Sequence, residues 1–374
     1  MASRLPERLY QAVQARFDRV PLRALKAGYQ LLSSDYRGRT VSAEQREDLQ
    51  GFERASGHVP AGYTDSEGRG LAYLAARLPA TYAAVQAALR QIPDAALEGA
   101  TTVLDLGAGP GTATFALFER LPSVQQSILL ERDKAMLGQA QALSEAYPEL
   151  KLSIRELDFV TALEKVEPQD LVLMAFALSE VEEAAQASFI EALWAKAKQG
   201  LLIVDPGTPD TSRRLQDVRT QLIEAGAHLV APCPQSGACP MLSLSAPPKR
   251  KGKPKPENLI APWCHFSVRL ERRGLHRLVK GGELGYEDEK FSYLYFSRAP
   301  MAPAAPMRLL SFPHRVSRHI NLDVCNDKGE RQAIFLNRRD TPYHLRHAAR
   351  QLEWGFAWDP DKVPMVDEDE GPNE

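Results

Sequence analysis

The sequence predicts an α/β fold with a mostly parallel sheet, preceded by a helical region and followed by a β-rich one. Three observations predict it. Short apolar runs alternate with helix-like stretches between residues 101 and 207, a glycine-rich turn follows the first of those runs, and the apolar period changes on either side.

Residues 1–100 read as helices. Leu22, Leu25, Tyr29 and Leu32 recur at helical spacing, and the Ala- and Leu-rich segment from Gly70 to Ile92 continues the pattern, with Pro79 marking a break or kink. A polar stretch around Gly57–Gly70 separates the two as a loop or connector. The apolar runs of the core are Thr102–Leu106, Ser127–Leu130, Leu171–Phe176 and Leu201–Val204. Each gives way to a turn and then to a helical pattern, the signature of βαβ units. The core is expected over 101–230, continuing through part of 261–300. A helix is expected from Ser212, and then a Pro- and Lys-rich extended segment, Ser245–Leu259. Farther on, Phe291–Arg298 and His319–Cys325 alternate as strands, so that 231–350 is expected to form a β-rich region. The tail over 360–374 is acidic and expected to be disordered.

Composition narrows the function classes. The net charge is only −2, yet residues 249–350 hold 21 Lys and Arg against 10 Asp and Glu, whereas residues 351–374 hold 1 Lys against 8 acids. A basic stretch of this kind suits a polyanion such as RNA, a solvated Arg-rich surface being the alternative. No apolar run approaches the ~18 residues of a membrane span. The opening segment lacks an apolar signal core, and its Glu7 and Asp18 argue against a transit peptide. The expectation is a cytoplasmic protein with no membrane association, its oligomeric state left open with a monomer favoured.

The strongest motif is Val103-Leu-Asp-Leu-Gly-Ala-Gly-Pro-Gly-Thr112. Glycines let the chain turn sharply and admit a ligand close to the backbone. A dinucleotide site would show G-x-G-x-x-G; this string resembles instead the glycine loop of class I S-adenosylmethionine methyltransferases, a Rossmann-like fold. On that register Asp105, Gly107, Gly109 and Gly111 face the cofactor's amino-acid and ribose portions. Glu131, after the second strand, is placed to meet ribose hydroxyls, and Asp158 to hold the adenine edge. The fourth strand carries no Asp/Asn-Pro-Pro-Tyr element, and no cysteine stands where a cytosine-5 methyltransferase keeps its nucleophile. The sequence names no catalytic residue.

Four cysteines occur: Cys233 and Cys239 in a Pro-flanked C-x5-C, Cys264 in Trp-Cys-His-Phe, and Cys325 after a strand. Four thiolates suit a structural Zn²⁺ or a [4Fe–4S] cluster. Unrelated buried thiols and disulfides are the alternatives, the latter disfavoured in a reducing compartment. His265 is a possible ligand in place of a cysteine, and Trp263 a shield for the site.

Taken in order, Ala72–Tyr82, Val103–Gly111, Val204-Asp-Pro-Gly-Thr-Pro209, the Cys-Pro-x4-Cys-Pro block with Trp-Cys-His-Phe, Ser292–Ser297 and Trp354-Gly resemble the bacterial and mitochondrial ribosomal small-subunit methyltransferase-like family. The resemblance spans about residues 70–355, and its cysteine block is the most specific part. Asp205 departs from the Glu frequent before Pro-Gly-Thr while keeping the acidic character. The resemblance implies association with the ribosomal small subunit and its rRNA, in assembly or translation. It also implies a methyltransferase fold of uncertain transfer activity, and a [4Fe–4S] cluster on Cys233, Cys239, Cys264 and Cys325. Lys249, Arg250, Lys251, Lys253 and Lys255 would then meet rRNA phosphates. A non-catalytic binding factor and a zinc-containing small-molecule methyltransferase are the competing expectations.

Overall fold

The computed structural model describes residues 2–18, 20–36, 68–243 and 263–364. In chain order the helices α1 (Glu7–Ala15), α2 (Leu22–Tyr36), α3 (Gly68–Ala76) and α4 (Leu78–Leu89) come first. Pro79 stands in the first turn of α4, where its missing N–H has no helical partner to lose, so the expected break falls between two helices. Then follow β1 (Thr102–Leu106), α5 (Thr112–Arg120), β2 (Gln126–Glu131), α6 (Lys134–Ser144), β3 (Lys151–Glu156), α7 (Phe159–Ala162), β4 (Gln169–Ala175) and α8 (Glu183–Ala195). The later elements are β5 (Ala197–Pro206), α9 (Pro209–Glu224), β6 (His228–Ala231), β7 (Phe266–Glu271), α10 (Gly274–Lys280) and β8 (Tyr286–Ser297). The last are β9 (Met307–Leu309), β10 (His314–Val316), β11 (His319–Asn326), β12 (Arg331–Asn337), α11 (Tyr343–Gln351) and β13 (Ala357–Trp358).

The chain divides into two compact units. One comprises Met1–Leu89, Gly99–Lys198 and Val268–Glu289; the other Arg90–Glu98, Gln199–Ser267 and Lys290–Glu374. In the first, β3, β2, β1 and β4 lie in that order, all parallel, with Asp105 of β1 opposite Leu129 of β2 and Leu173 of β4. This is the 3-2-1-4 order of a Rossmann-like sheet. Central β1 and β4 are almost wholly buried, which explains their unbroken apolar character. Phe115 of α5 stacks on Tyr147 at 4.5 Å, and both are fully buried. Asp133 caps α6, accepting from the N–H groups of Ala135 and Met136 at 2.8 and 3.3 Å.

In the second unit β5 and β6 pair antiparallel with β8, β5 over seven residues from Gly200 to Pro206. From Gln199 onward β5, and the whole of α9, fall in the second unit. A separate sheet runs β10-β11-β9-β13, with β12 on β11, and α11 covers it. Leu309, Ile320, Leu322, Val324, Leu352 and Trp358 form its core. The inward residues of β11 are the alternate ones read from the sequence. The Pro- and Lys-rich segment and the acidic tail from residue 365 onward lie outside the described residues. No described helix is long and apolar enough to cross a membrane.

Candidate functional site

β1 delivers Asp105 to the sheet interior and ends at the glycine loop. Asp105 is 1% exposed. Its Oδ2 accepts from the Thr114 backbone N–H at 3.1 Å and hydroxyl at 2.8 Å, while Oδ1 has no hydrogen-bond partner among the described residues. Burial pushes its carboxyl from 3.8 up to about 7, against the pull of the two Thr114 bonds. Gly107, with φ +61°, turns where a Cβ would lie 2.6 Å from that of Ala177. Gly109, with φ +54°, faces open space, for nothing stands within 4 Å of a Cβ built there. One glycine is therefore required by conformation and packing, the other by conformation alone.

Glu131 ends β2 and folds back on this loop. Its Oε2 accepts from the Gly109 N–H at 2.9 Å, and Oε1 from the N–H groups of Arg132 and Asp133 at 2.8 and 2.9 Å. Asp158 caps the short α7 through Val160 N–H at 2.9 Å. Arg132 reaches from this rim to Glu180 at 3.1 Å and, more loosely, to Asp158 at 3.9 Å. Burial, with the negative charges of Glu131 and Asp158, pushes the Glu180 carboxyl up while Arg132 pulls it down.

Sequence reasoning misses three groups here. Glu180 and Arg132 are ordinary surface charges as a string, and only the Glu131-Arg-Asp-Lys charge run hints at the latter. Phe176, just past β4, is the one non-glycine residue with positive φ (58°) among the described residues, a strained backbone of the kind that collects at functional sites. The Arg77 guanidinium sits 5.7 Å from its ring and pairs with Glu289 at 3.0 Å. Tyr73 of α3 places its hydroxyl 3.3 Å from Thr81 Oγ1, in the negative field of Glu131, and burial holds that hydroxyl well protonated.

The four cysteines all fall in the second unit, on free thiols. Burial pushes Cys264 well up, and the thiols of Cys233, Cys239 and Cys325 add to the rise. Cys325 is pushed up to about 12 and Cys233 is raised, again by burial first. Cys233 and Cys264 line one cleft, and Cys325 stands opposite Arg308 of β9. No three His, Cys, Asp or Glu side chains among the described residues are grouped so as to hold a metal ion. Trp263 stacks on His265 at 4.8 Å, and Trp354 meets that ring edge-on at 4.7 Å. Trp263 is tied by its Nε1–H to the Gly207 carbonyl at 3.0 Å. Lys249, Arg250, Lys251, Lys253 and Lys255 lie outside the described residues.

Residues 68–359 match the family described as mitochondrial small ribosomal subunit Rsm22. A human relative, the mitochondrial ribosome assembly protein METTL17, is 26% identical over 307 residues, which cover 78% of this chain and 62% of the relative. Among solved structures, a magnesium protoporphyrin IX methyltransferase from Synechocystis with bound SAM aligns at a TM-score of 0.36 and 14% identity, covering 72% of this chain and 97% of that one. An O-methyltransferase family protein from Burkholderia thailandensis aligns at 0.38 and 16%, covering 51% and 69%. Likenesses this distant carry no argument, and the fold rests on the strand order and parallel pairing above.

Proposed function

Because the chain belongs to the mitochondrial small ribosomal subunit Rsm22 family, we propose that it is an S-adenosylmethionine-binding protein that acts on the ribosomal small subunit, in assembly or translation. The observation that supports cofactor binding is the Gly107–Gly111 turn, open at Gly109 and flanked by buried Asp105 and by Glu131. It lies at the carboxyl ends of parallel strands, where α/β sheets bind ligands.

In this reading the glycine turn admits the cofactor's amino-acid and ribose portions at Gly109, while Gly107 and Gly111 keep the turn tight, where a Cβ would meet Ala177 at the one and Phe115 and Leu129 at the other. The Glu131 carboxylate offers about four lone-pair positions and spends three on backbone N–H groups, leaving one on Oε2 for a ribose hydroxyl. Asp158, whose Oδ1 caps α7 and whose Oδ2 stands 3.9 Å from Arg132, would offer Oδ2 to an adenine amino group. When bound, S-adenosylmethionine supplies an electrophilic methyl group. Proximity to a nucleophile of RNA or of a ribosomal protein would suffice for transfer. We assign no catalytic residue. The pairing of Glu180 with Arg132 ties up the carboxyl that follows β4. It favours a second reading, in which the chain is a binding factor and the cofactor a structural or sensing element.

Four sulfur donors fit a soft metal centre. We take Cys233, Cys239, Cys264 and Cys325 as holders of a [4Fe–4S] cluster, with zinc the alternative, tying the β6–β7 connection to β11. Lys249, Arg250, Lys251, Lys253 and Lys255 would contact rRNA phosphates, adding affinity that weakens with salt. The whole relative exceeds this chain in length, so its partners are part of the proposal.

The test combines calorimetry with S-adenosylmethionine and co-sedimentation with small ribosomal subunits, for the wild type and Gly109→Arg. A side chain at Gly109 meets no protein atom but enters the open space; at φ +54° it costs about 1–2 kcal/mol of backbone strain, which leaves the variant folded and without cofactor binding. If it still sediments with the subunit, the binding-factor reading gains; if ribosome association is lost too, the cofactor is obligatory. A wild type that binds neither cofactor nor subunit refutes the proposal.

A further inference from the structure

Among the described residues, two arginines of the second unit are buried without an anion. Arg219, on α9, and Arg308, on β9, are each 3% exposed. Arg308 donates from Nε to the Pro232 carbonyl at 2.7 Å, and from Nη1 to the Gly355 carbonyl at 2.9 Å and the Gln91 side-chain oxygen at 2.5 Å. Arg219 donates from Nη2 to the Gln235 carbonyl at 2.9 Å, and its Nε has no hydrogen-bond partner. Each of these acceptors is neutral. Neither guanidinium forms an ion pair among the described residues. Guanidinium keeps its charge at every accessible pH, so the fold cannot relieve the burial by losing a proton. Burying one ion without a counter-charge is costly, and here there are two.

Both guanidiniums lie beside the cysteines: Arg308 stands opposite Cys325 in the β9–β11 register and donates to the carbonyl that precedes Cys233, and Arg219 donates to the carbonyl two residues after it. A third group points the same way. Tyr293, 2% exposed, lines a small cleft with Cys233 and Cys264, and its hydroxyl has no partner among the described residues. Unsatisfied N–H and O–H donors beside unpaired cations require an anion rich in acceptors. Four neutral thiols cannot supply it, since S–H carries no charge and accepts weakly. Four thiolates around a core of charge +2, whether a [4Fe–4S]²⁺ cluster or Zn²⁺, carry a net charge of −2, which two guanidiniums balance.

We propose that Arg219 and Arg308 are the counter-charges of a doubly negative four-thiolate metal centre, with Arg219 Nε and Tyr293 Oη donating hydrogen bonds to its sulfurs. The inference rests on the reading of the four cysteines as metal ligands. The arginines and Tyr293 are positioning residues. They act by making the anionic centre electrostatically acceptable, so their loss weakens metal retention and, for a cluster, makes reduction harder.

The experiment uses the full chain, purified anaerobically as wild type, Arg219→Met, Arg219→Lys and Tyr293→Phe. Iron, sulfide and zinc are assayed, release to a chelator is timed, and the midpoint potential is measured where iron is present. Arg219→Met should release its metal faster, with affinity lowered about tenfold or more, and shift the potential downward. Arg219→Lys, which keeps the charge, should fall between it and the wild type. Tyr293→Phe should move in the same direction by less. A loaded wild type whose release and potential are unchanged by Arg219→Met overturns the inference while leaving the metal site intact. A wild type holding neither iron nor zinc defeats the metal reading itself, and the inference with it. Should Arg219→Met fail to fold, Arg219→Gln, which keeps a donor and drops the charge, decides: faster release or a lower potential supports the counter-charge, and no change overturns it.

Discussion

Replacing Asp105 with Asn removes a charge that the first unit buries at a cost. The carboxyl is 1% exposed, and burial raises it from 3.8 in a solvated chain to about 7 in the fold. Between those values the native protein keeps a proton that the unfolded chain has given up. Stability therefore falls as pH rises from about 4 to about 7, and levels off above. Roughly three pH units at about 1.4 kcal/mol each amount to about 4 kcal/mol. Asn has the same shape and keeps an oxygen for the two Thr114 donors, but places an amide where Oδ1 lacks a partner. Leaving that amide unsatisfied costs about 1–3 kcal/mol. The cofactor-free variant should then exceed the wild type by about 1–3 kcal/mol at pH 8 and fall below it at pH 4. Urea unfolding of both proteins at pH 4, 5, 6, 7 and 8 measures the difference, in which other titrating groups cancel. A wild-type-minus-variant difference that stays constant across this range would refute the reasoning.

Three further outcomes follow from named contacts. Gly107→Ala places a Cβ 2.6 Å from that of Ala177 at φ +61°, and should destabilise by about 2–4 kcal/mol in thermal melts. Glu287 meets Lys280 Nζ at 2.6 Å and Arg272 Nη2 at 2.8 Å, all three largely buried. Glu287→Ala, which strands both cations, should cost about 3–5 kcal/mol at pH 7 by urea titration. His276 and Lys280 hold the Glu287 carboxyl far down against burial, so wild type and variant should converge as acid carries pH below the ordinary carboxylate value of 4.5. Under the proposed metal reading, Cys264→Ser should lose the metal and melt at lower temperature, and a metal content unchanged from wild type would count against Cys264 as a ligand.

Much of the fold was legible because its signals are local. The run Thr102–Leu106 is β1 to the residue, and Pro79 separates two helices as its chemistry requires. β3 escaped because it is half-buried along its length and shows no continuous apolar run. β5 extends beyond its apolar stretch because β8 pairs with it antiparallel over seven residues, a partner about ninety positions away that no local pattern announces. Asp105 and Glu131 were legible as site residues by their register with the glycines. That Glu131 spends three of its acceptor positions on the loop was not, since hydrogen bonds depend on where the chain has folded.

By itself the sequence determined the alternation of strand and helix, the glycine turn after β1, and which four residues can offer sulfur. These follow from side-chain period, from the freedom of glycine to adopt positive φ, and from residue chemistry, all properties of neighbours along the chain. Only the tertiary structure decided that Asp105 holds its proton up to near neutrality, that Glu180 is paired with Arg132, and that Arg219 and Arg308 lie buried beside the cysteines with no anion among the described residues. Charge, burial and unsatisfied donors are set by what is close in space, and residues as far apart as 219 and 308 acquire a shared role only when the fold removes the water between them.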